Sequence, residues 1–231
     1  MLYEIAKPPV RAVMSAVWKP TISGAEHIPD QGPVILASNH LAYSDTVILP
    51  ASLRRTVHFL GKSDIFAGGS PLNAVFAAIM RGLHVMPVDR AGGNASRSAI
   101  EAGLEVLEAG KILGIYPEGT RSPDGRLYRG KTGVARFALA TGAPIVPVAM
   151  RGSFEAQRGR RYLPRRSPRI DVMVGEPVRL EHLELEGKEE AVVMREATDE
   201  VVRRIQELSG QQYVDEYAAD VKKRLRDHRA S

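Results

Sequence analysis

An α/β domain with a mixed, partly parallel sheet flanked by helices is the fold this sequence predicts. Three observations point to it. Short apolar runs of strand length alternate with longer segments of helical period, the pattern of strands linked by crossover helices. A chain of 231 residues suits one domain with an appended piece and can bury a large core. Its 44% hydrophobic and 26% charged content is that of a globular protein. The expected division is an N-terminal amphipathic helix over 1–20, the domain over 21–178, and a C-terminal helical tail over 179–231.

The elements follow in order. After Pro8 and Pro9, Val10, Val13, Met14, Val17 and Trp18 recur on one helical face, rimmed by Lys7, Arg11 and Lys19. Such a helix either docks on the core or lies at a membrane surface, which a basic rim and terminal Trp suit. Pro33 to Ala37 reads as a strand and Thr46 to Arg54 as a helix. His58 to Gly61 is a short strand, followed by the apolar helix Pro71 to Met80. A further strand covers His84 to Val88. Ser96 to Ala109 is a helix with Ile100, Leu104 and Leu107 on one face and Gly110 to end it. Ile112 to Tyr116 is a strand, Gly133 to Thr141 a helix ended by Gly142, and Ile145 to Met150 and Ile170 to Val174 are strands. Beyond Glu176 the chain turns acidic and then helical, with Val214, Tyr217, Val221 and Leu225 on one face and no evident chemistry.

Composition excludes several classes of function. Without cysteine there is no disulfide, thiolate metal site or Cys nucleophile. The six histidines, at 27, 40, 58, 84, 182 and 228, show no metal-ligand spacing. A net charge of +5 favours anionic partners: phosphorylated substrates, nucleic acid or acidic lipid. No apolar run reaches the roughly 18 residues that span a bilayer, and the long apolar core of a secretory signal is missing.

Two polar clusters carry the chemistry, each delivered by an apolar strand. The first is Asn39-His40-Leu41-Ala42-Tyr43-Ser44-Asp45. Imidazole titrates near neutrality and can take a proton from a hydroxyl and later return it. A carboxylate at its other nitrogen fixes the tautomer. A regular helix places residues five apart about 140° from each other on the wheel, so His40 and Asp45 meet only where a loop bends into a helix. Capping that helix is the plainer role for Asp45. The second cluster is Tyr116-Pro117-Glu118-Gly119-Thr120-Arg121-Ser122. Gly119 permits close backbone approach, and Arg121 offers a planar fork suited to phosphate; a plain turn is the alternative. Arg90, after the strand begun at His84, and Lys62, after Phe59-Leu60-Gly61, can reach the same crevice or remain solvated.

Gly125 to Thr132 spells the phosphate-loop pattern G-x-x-x-x-G-K-[ST]. Yet no strand ends at its first glycine, and no later strand ends in an Asp to hold magnesium, so the match argues little for a nucleotide hydrolase. Arg151 to Arg169 holds seven arginines and one acid, Glu155. It reads as a solvated loop or an attraction to anionic lipid; few aromatics are interleaved, and nucleic acid is not expected. A non-catalytic membrane or nucleic-acid binder remains the reading outside enzymes.

Taken together, these residues resemble the glycerolipid acyltransferase family, of the PlsC-like 1-acyl-sn-glycerol-3-phosphate acyltransferase type. Four blocks stand in order: Asn39-His40-x4-Asp45; Gly82 to Arg90; Pro117 to Arg121; and Ile145-Val146-Pro147-Val148. Gly24 to Pro29 and Lys62 also match, and the likeness covers about residues 21 to 178. This chain departs in having Ala42 where many members carry Ser, and Tyr116 where they carry Phe. The resemblance implies acyl transfer from acyl-CoA or acyl carrier protein to a hydroxyl of lysophosphatidate, with another lysophospholipid or glycolipid as the alternative acceptor. It implies His40 as general base oriented by Asp45, and Arg90, Glu118, Gly119, Thr120 and Arg121 around the acceptor. It also implies Lys62 facing either the phosphate or the oxyanion, and the helix Leu72 to Met80 either lining an acyl tunnel or simply packing. No metal or cofactor is implied beyond the thioester co-substrate. The expected place is the cytoplasmic face of an anionic membrane, held peripherally.

Overall fold

The computed structural model describes residues 8, 12, 14–66, 71–82, 84–88, 95–157, 169–180 and 187–230. Seven strands form one sheet: β1 (Thr21–Ser23), β2 (Val34–Ser38), β3 (Val57–Lys62), β4 (Val85–Val88), β5 (Ile112–Ile115), β7 (Ile145–Arg151) and β8 (Asp171–Val174). Their spatial order is β1-β8-β7-β2-β5-β3-β4. Every neighbouring pair is parallel except β7 with β8, so the sheet is mixed as expected. The central strand β2, Val34-Ile35-Leu36-Ala37-Ser38, is buried throughout, because a parallel strand in the middle of a sheet is covered on both faces.

Alternation along the strands sorts side chains between two cores. Val34 and Leu36 pack with Ile48 and Leu49 of helix α1 (Asp45–Ser52) and Met80 of α2 (Pro71–Gly82). Ile35 and Ala37 point the other way, toward Leu107 of α3 (Ala95–Glu108), Val134 and Phe137 of α4 (Gly133–Thr141), and Val201 of α6 (Glu190–Ser209). Gly142 ends α4 in the left-handed region at φ 66°, and Gly110, at φ 69°, follows α3. A short helix α5 (Ser153–Ala156) follows β7.

Helices α1 and α4 therefore cover opposite faces, and that places the site. From β2 the chain crosses one face past β5 to reach β3; from β5 it crosses the other face past β2 to reach β7. Adjacent parallel strands whose connections depart in opposite directions leave a crevice at their carboxyl ends. His40 follows β2 and Tyr116 follows β5, so both motif loops open on it.

The ends of the chain differ in part from expectation. At the N-terminus, Met14 is only 2% exposed and Trp18 packs against the same core as α1, so this end of the segment docks. Val10 and Val13, on the same expected face, lie outside the described residues. In the tail, Val214 is not helical but belongs to β9 (Tyr213–Val214), which pairs in parallel with β6 (Leu127–Tyr128). The final helix α7 (Ala218–Ala230) buries Ala218 and Val221 against Tyr128, whereas Leu225 is 44% exposed. No helix among the described residues is long and apolar enough to cross a membrane.

Candidate active site

The chain leaves β2 at Ser38 and turns before α1 through a loop that one carboxylate organises. Asp45 is wholly buried, and its Oδ2 accepts from the backbone N–H groups of Leu41 and Ala42, each at 2.7 Å, and lies 3.2 Å from Nδ1 of His40. Asp45 thus ties the preceding loop to the helix start, and the meeting expected from the bend is realised. Its own helix is entered through Ser44, which makes no side-chain cap. With Nδ1–H donated to a carboxylate, the imidazole keeps Nε2 as its free basic nitrogen. Only 15% of the His40 side chain is exposed. Burial holds its pKa below the usual 6.5; Asp45 opposes that shift, and the charges of Arg121 and Lys222 reinforce it.

The second loop is laced to the first at two points and to β6 at a third. Glu118 Oε2 accepts from the His40 N–H at 3.0 Å, its Oε1 accepts from the Tyr128 N–H at 3.0 Å, and the Ser122 N–H donates to the His40 carbonyl at 2.7 Å. Glu118 is 1% exposed, and burial pushes its carboxyl up to about 8 against those two donors and nearby Lys222. Gly119 takes a left-handed φ of 70°, which lets the turn bend so that its N–H reaches the Tyr116 carbonyl. The Tyr116 ring stacks on His40 with centroids 3.9 Å apart, and Phe59 stacks behind it at 5.4 Å. Arg121 lays its guanidinium over the Tyr43 ring, 3.5 Å from the centroid.

His40, Gly119, Thr120 and Arg121 line one cavity of about 280 Å³, whose apolar wall includes Phe59, Val85 and Phe137. An imidazole held by a buried carboxylate, a cationic corner and an apolar wall thus share one opening. That arrangement can deprotonate a hydroxyl beside a phosphate and a hydrocarbon chain.

The geometry agrees with comparisons to known proteins. Residues 19–151 match the Acyltransferase family, more than half of the chain. The chain belongs to that family. It is 25% identical over 208 residues to a 1-acyl-sn-glycerol-3-phosphate acyltransferase of Bacillus subtilis, covering 89% of this chain and 97% of that one. It is 31% identical over 137 residues to the chloroplastic enzyme BAT2 of Brassica napus, also a 1-acyl-sn-glycerol-3-phosphate acyltransferase; that match covers 59% of this chain and 38% of the relative. The fold matches the crystal structure of PlsC from Thermotoga maritima, an LPA acyltransferase, at a TM-score of 0.67. That match has 22% identity and covers 89% of this chain and 79% of the other. The resemblance to glycerolipid acyltransferases is borne out, and the protein is an O-acyltransferase.

Within this acyltransferase the expected site residues divide. His40, Gly119, Thr120 and Arg121 meet at the cavity, and Asp45 lies directly behind His40. Glu118 lies beneath the cavity rather than in it, with both carboxylate oxygens taken by backbone. Lys62 pairs in register with Val88 at the carboxyl edge of the sheet, on the same side as both motif loops; its side chain lies outside what is described. Arg90 also lies outside the described residues, as does most of the arginine-rich segment. Within the phosphate-loop pattern lies strand β6, which pairs with β9 of the tail.

Sequence reasoning missed two groups. Asn39 pairs through both ends of its amide with the backbone of Met150, and it also reaches Gln211, whose amide donates to the Gly125 carbonyl. An Asn beside the motif histidine was visible; its partners were not. The second is Lys222 of α7, whose ammonium donates to the Thr120 hydroxyl at 2.9 Å. The tail read as free of chemistry therefore reaches the site.

Proposed function

We propose that this enzyme transfers a fatty acyl group from the thioester of acyl-CoA or acyl carrier protein to the free hydroxyl of lysophosphatidate, making phosphatidate. The observation that carries the reading is the His40–Asp45 pair, with Nδ1 engaged and Nε2 left for the cavity that Arg121 also lines. His40 Nε2 takes the hydroxyl proton as the oxygen attacks the thioester carbonyl, giving a tetrahedral oxyanion. Collapse breaks the C–S bond, and the imidazolium returns its proton to the departing thiolate. Asp45 stabilises the imidazolium between these steps. General-base action of this kind contributes about 10²–10⁴-fold, and holding both reactants in line supplies much of the rest.

Arg121 binds the acceptor's phosphate, Lys62, at the carboxyl end of β3, adds positive charge at the same edge, and Arg90 is a further cation for the acceptor. Glu118 serves as a brace: it holds the His40 loop against the Arg121 loop instead of touching the acceptor. The names of the relatives support this acceptor. A net charge of +5 and the basic N-terminal segment support action from an anionic membrane surface at its cytoplasmic face.

The test is thiol release. Purified protein given acyl-CoA or acyl carrier protein thioester and lysophosphatidate releases free thiol, and His40→Ala abolishes the release while its circular dichroism is unchanged. Undiminished turnover in that variant removes His40 as the base. Acylation of other lysolipids but not lysophosphatidate removes the acceptor assignment.

A further inference from the structure

The tail is built into the site. Strand β9 pairs with β6, the Leu127 N–H donates to the Gln212 carbonyl and the Arg129 N–H to that of Glu216. Ala218 and Val221 then bury against Tyr128, whose own N–H is held by Glu118. Helix α7 is thereby fixed to the loop that carries Thr120 and Arg121, and one turn places Lys222 over Thr120.

Lys222 is half-buried there, and among the described residues no carboxylate lies within ion-pair distance of it or of Arg121. Its ammonium has three N–H donors, and the Thr120 hydroxyl takes one. The neighbouring carboxylate, Glu118, is already bonded to two backbone donors. Burial first, and then the charge of Arg121, bring the Lys222 amine down to about 8. Lys131 approaches the same loop: a β-carbon on Gly119 would lie 3.5 Å from its Nζ. Glu118 offsets part of this charge, but cations gathered without an ion-paired partner repel one another and lose hydration, a cost that a bound anion reverses. The planar fork of Arg121 and the point charge of Lys222 together suit two phosphate oxygens.

We propose that Lys222 is a phosphate ligand of the acceptor and selects a phosphomonoester dianion over a phosphodiester or an uncharged headgroup. This rests on the acyl-transfer reading above, with the headgroup chemistry now assigned to a residue of the tail. A dianion engages both Arg121 and Lys222, whereas a monoanionic diester leaves one of them uncompensated.

The experiment compares full-length wild type, Lys222→Met and Lys222→Arg with lysophosphatidate and with monoacylglycerol. Lys222→Met raises the KM for lysophosphatidate about tenfold, leaves kcat and the KM for the acyl donor within about threefold, and lowers turnover of monoacylglycerol by no more than about threefold; Lys222→Arg recovers most of the loss. The wild-type kcat/KM for lysophosphatidate falls above about pH 8 as the ammonium, faced by Thr120, Arg121, Glu118 and Arg226, loses its proton. That limb is weaker in Lys222→Arg, where only the ionisation of Glu118 remains in this range. An unchanged KM in Lys222→Met, or an equal loss with both acceptors, overturns the proposal, the latter because it marks Lys222 as a mere anchor of the tail.

Calorimetric titration with glycerol 3-phosphate separates the proposal from the reading it rests on. Wild type binds this probe, and Lys222→Met binds it about tenfold more weakly. Should that difference appear in a protein that does not acylate lysophosphatidate, the phosphate site stands and the acceptor reading falls. No binding by wild type, or equal binding by both, overturns the phosphate site whatever the turnover.

Discussion

Three donors converge on one oxygen of Asp45, and this decides what its replacement does. The amide oxygen of Asn can take the place of Oδ2 and accept from Leu41, Ala42 and His40, so Asp45→Asn keeps the loop and the imidazole tautomer. Only the charge that stabilises the imidazolium is lost. A charge-assisted hydrogen bond is worth about 1.5–3 kcal/mol, so kcat falls about 10–10²-fold, well short of a collapse. The amide NH2 then occupies the place of Oδ1, which is buried and has no partner among the described residues, at a stability cost of about 1–3 kcal/mol. Asp45→Ala removes all three acceptors and lowers both kcat and Tm further. Steady-state kinetics and thermal melts on the two variants separate charge from geometry. The neutral imidazole is the working form, and burial together with Arg121 and Lys222 keeps its pKa below 6.5. The acid limb of kcat/KM accordingly has its midpoint below 6.5. Arg121→Met, by removing one of those charges, moves the midpoint upward in a pH-rate profile.

Strands β3 and β5 act on the chemistry through an aromatic stack running from Phe59 to Tyr116 to His40. Gly114 on β5 makes room for it: a β-carbon there would lie 2.4–2.8 Å from three atoms of the Phe59 ring. Gly114→Ala therefore destabilises by about 1–3 kcal/mol, as overpacking does, and displaces Tyr116 and His40 through the stack. Phe59→Leu in the same chain restores part of the lost Tm, and a double-mutant cycle by thermal denaturation reads the coupling. The central elements were legible because β2, β5 and β7 are apolar runs bounded by turns, and Gly142 marks the end of α4. Strands β1, β6 and β9 were not: each has two or three residues, too few for a period, and each exists because a distant segment pairs with it. The bend that joins His40 to Asp45 could be inferred from their spacing. The burial of Glu118 could not, since Pro-Glu-Gly reads locally as an exposed turn.

At the scale of the molecule, the topology converts distant segments into neighbours at one edge of the sheet. Lys222 is 102 residues from Thr120, and a lysine in a polar helix carries no local mark of what it faces. Glu118 joins three of these segments: the His40 loop through Oε2, the β6 strand that holds the tail through Oε1, and its own loop after β5. The stability of the whole fold therefore responds to its ionisation. Burial raises its pKa from 4.5 to about 8, so the folded state binds this proton more tightly than the unfolded chain. A raised carboxyl stabilises the fold below the unfolded value near 4.5 and loses that contribution as pH rises through about 8. Gln has no proton to lose and can accept only one of the two N–H groups through its carbonyl. Glu118→Gln is consequently less stable than wild type at pH 5, where the neutral acid still spans both loops. Between pH 5 and 8 the wild type loses up to a few kcal/mol that the variant keeps, and the gap between them narrows. Chemical denaturation of both proteins across that range reads the slopes; a gap that widens toward pH 8 would show that the backbone donors and Lys222 outweigh burial and that Glu118 works as a carboxylate.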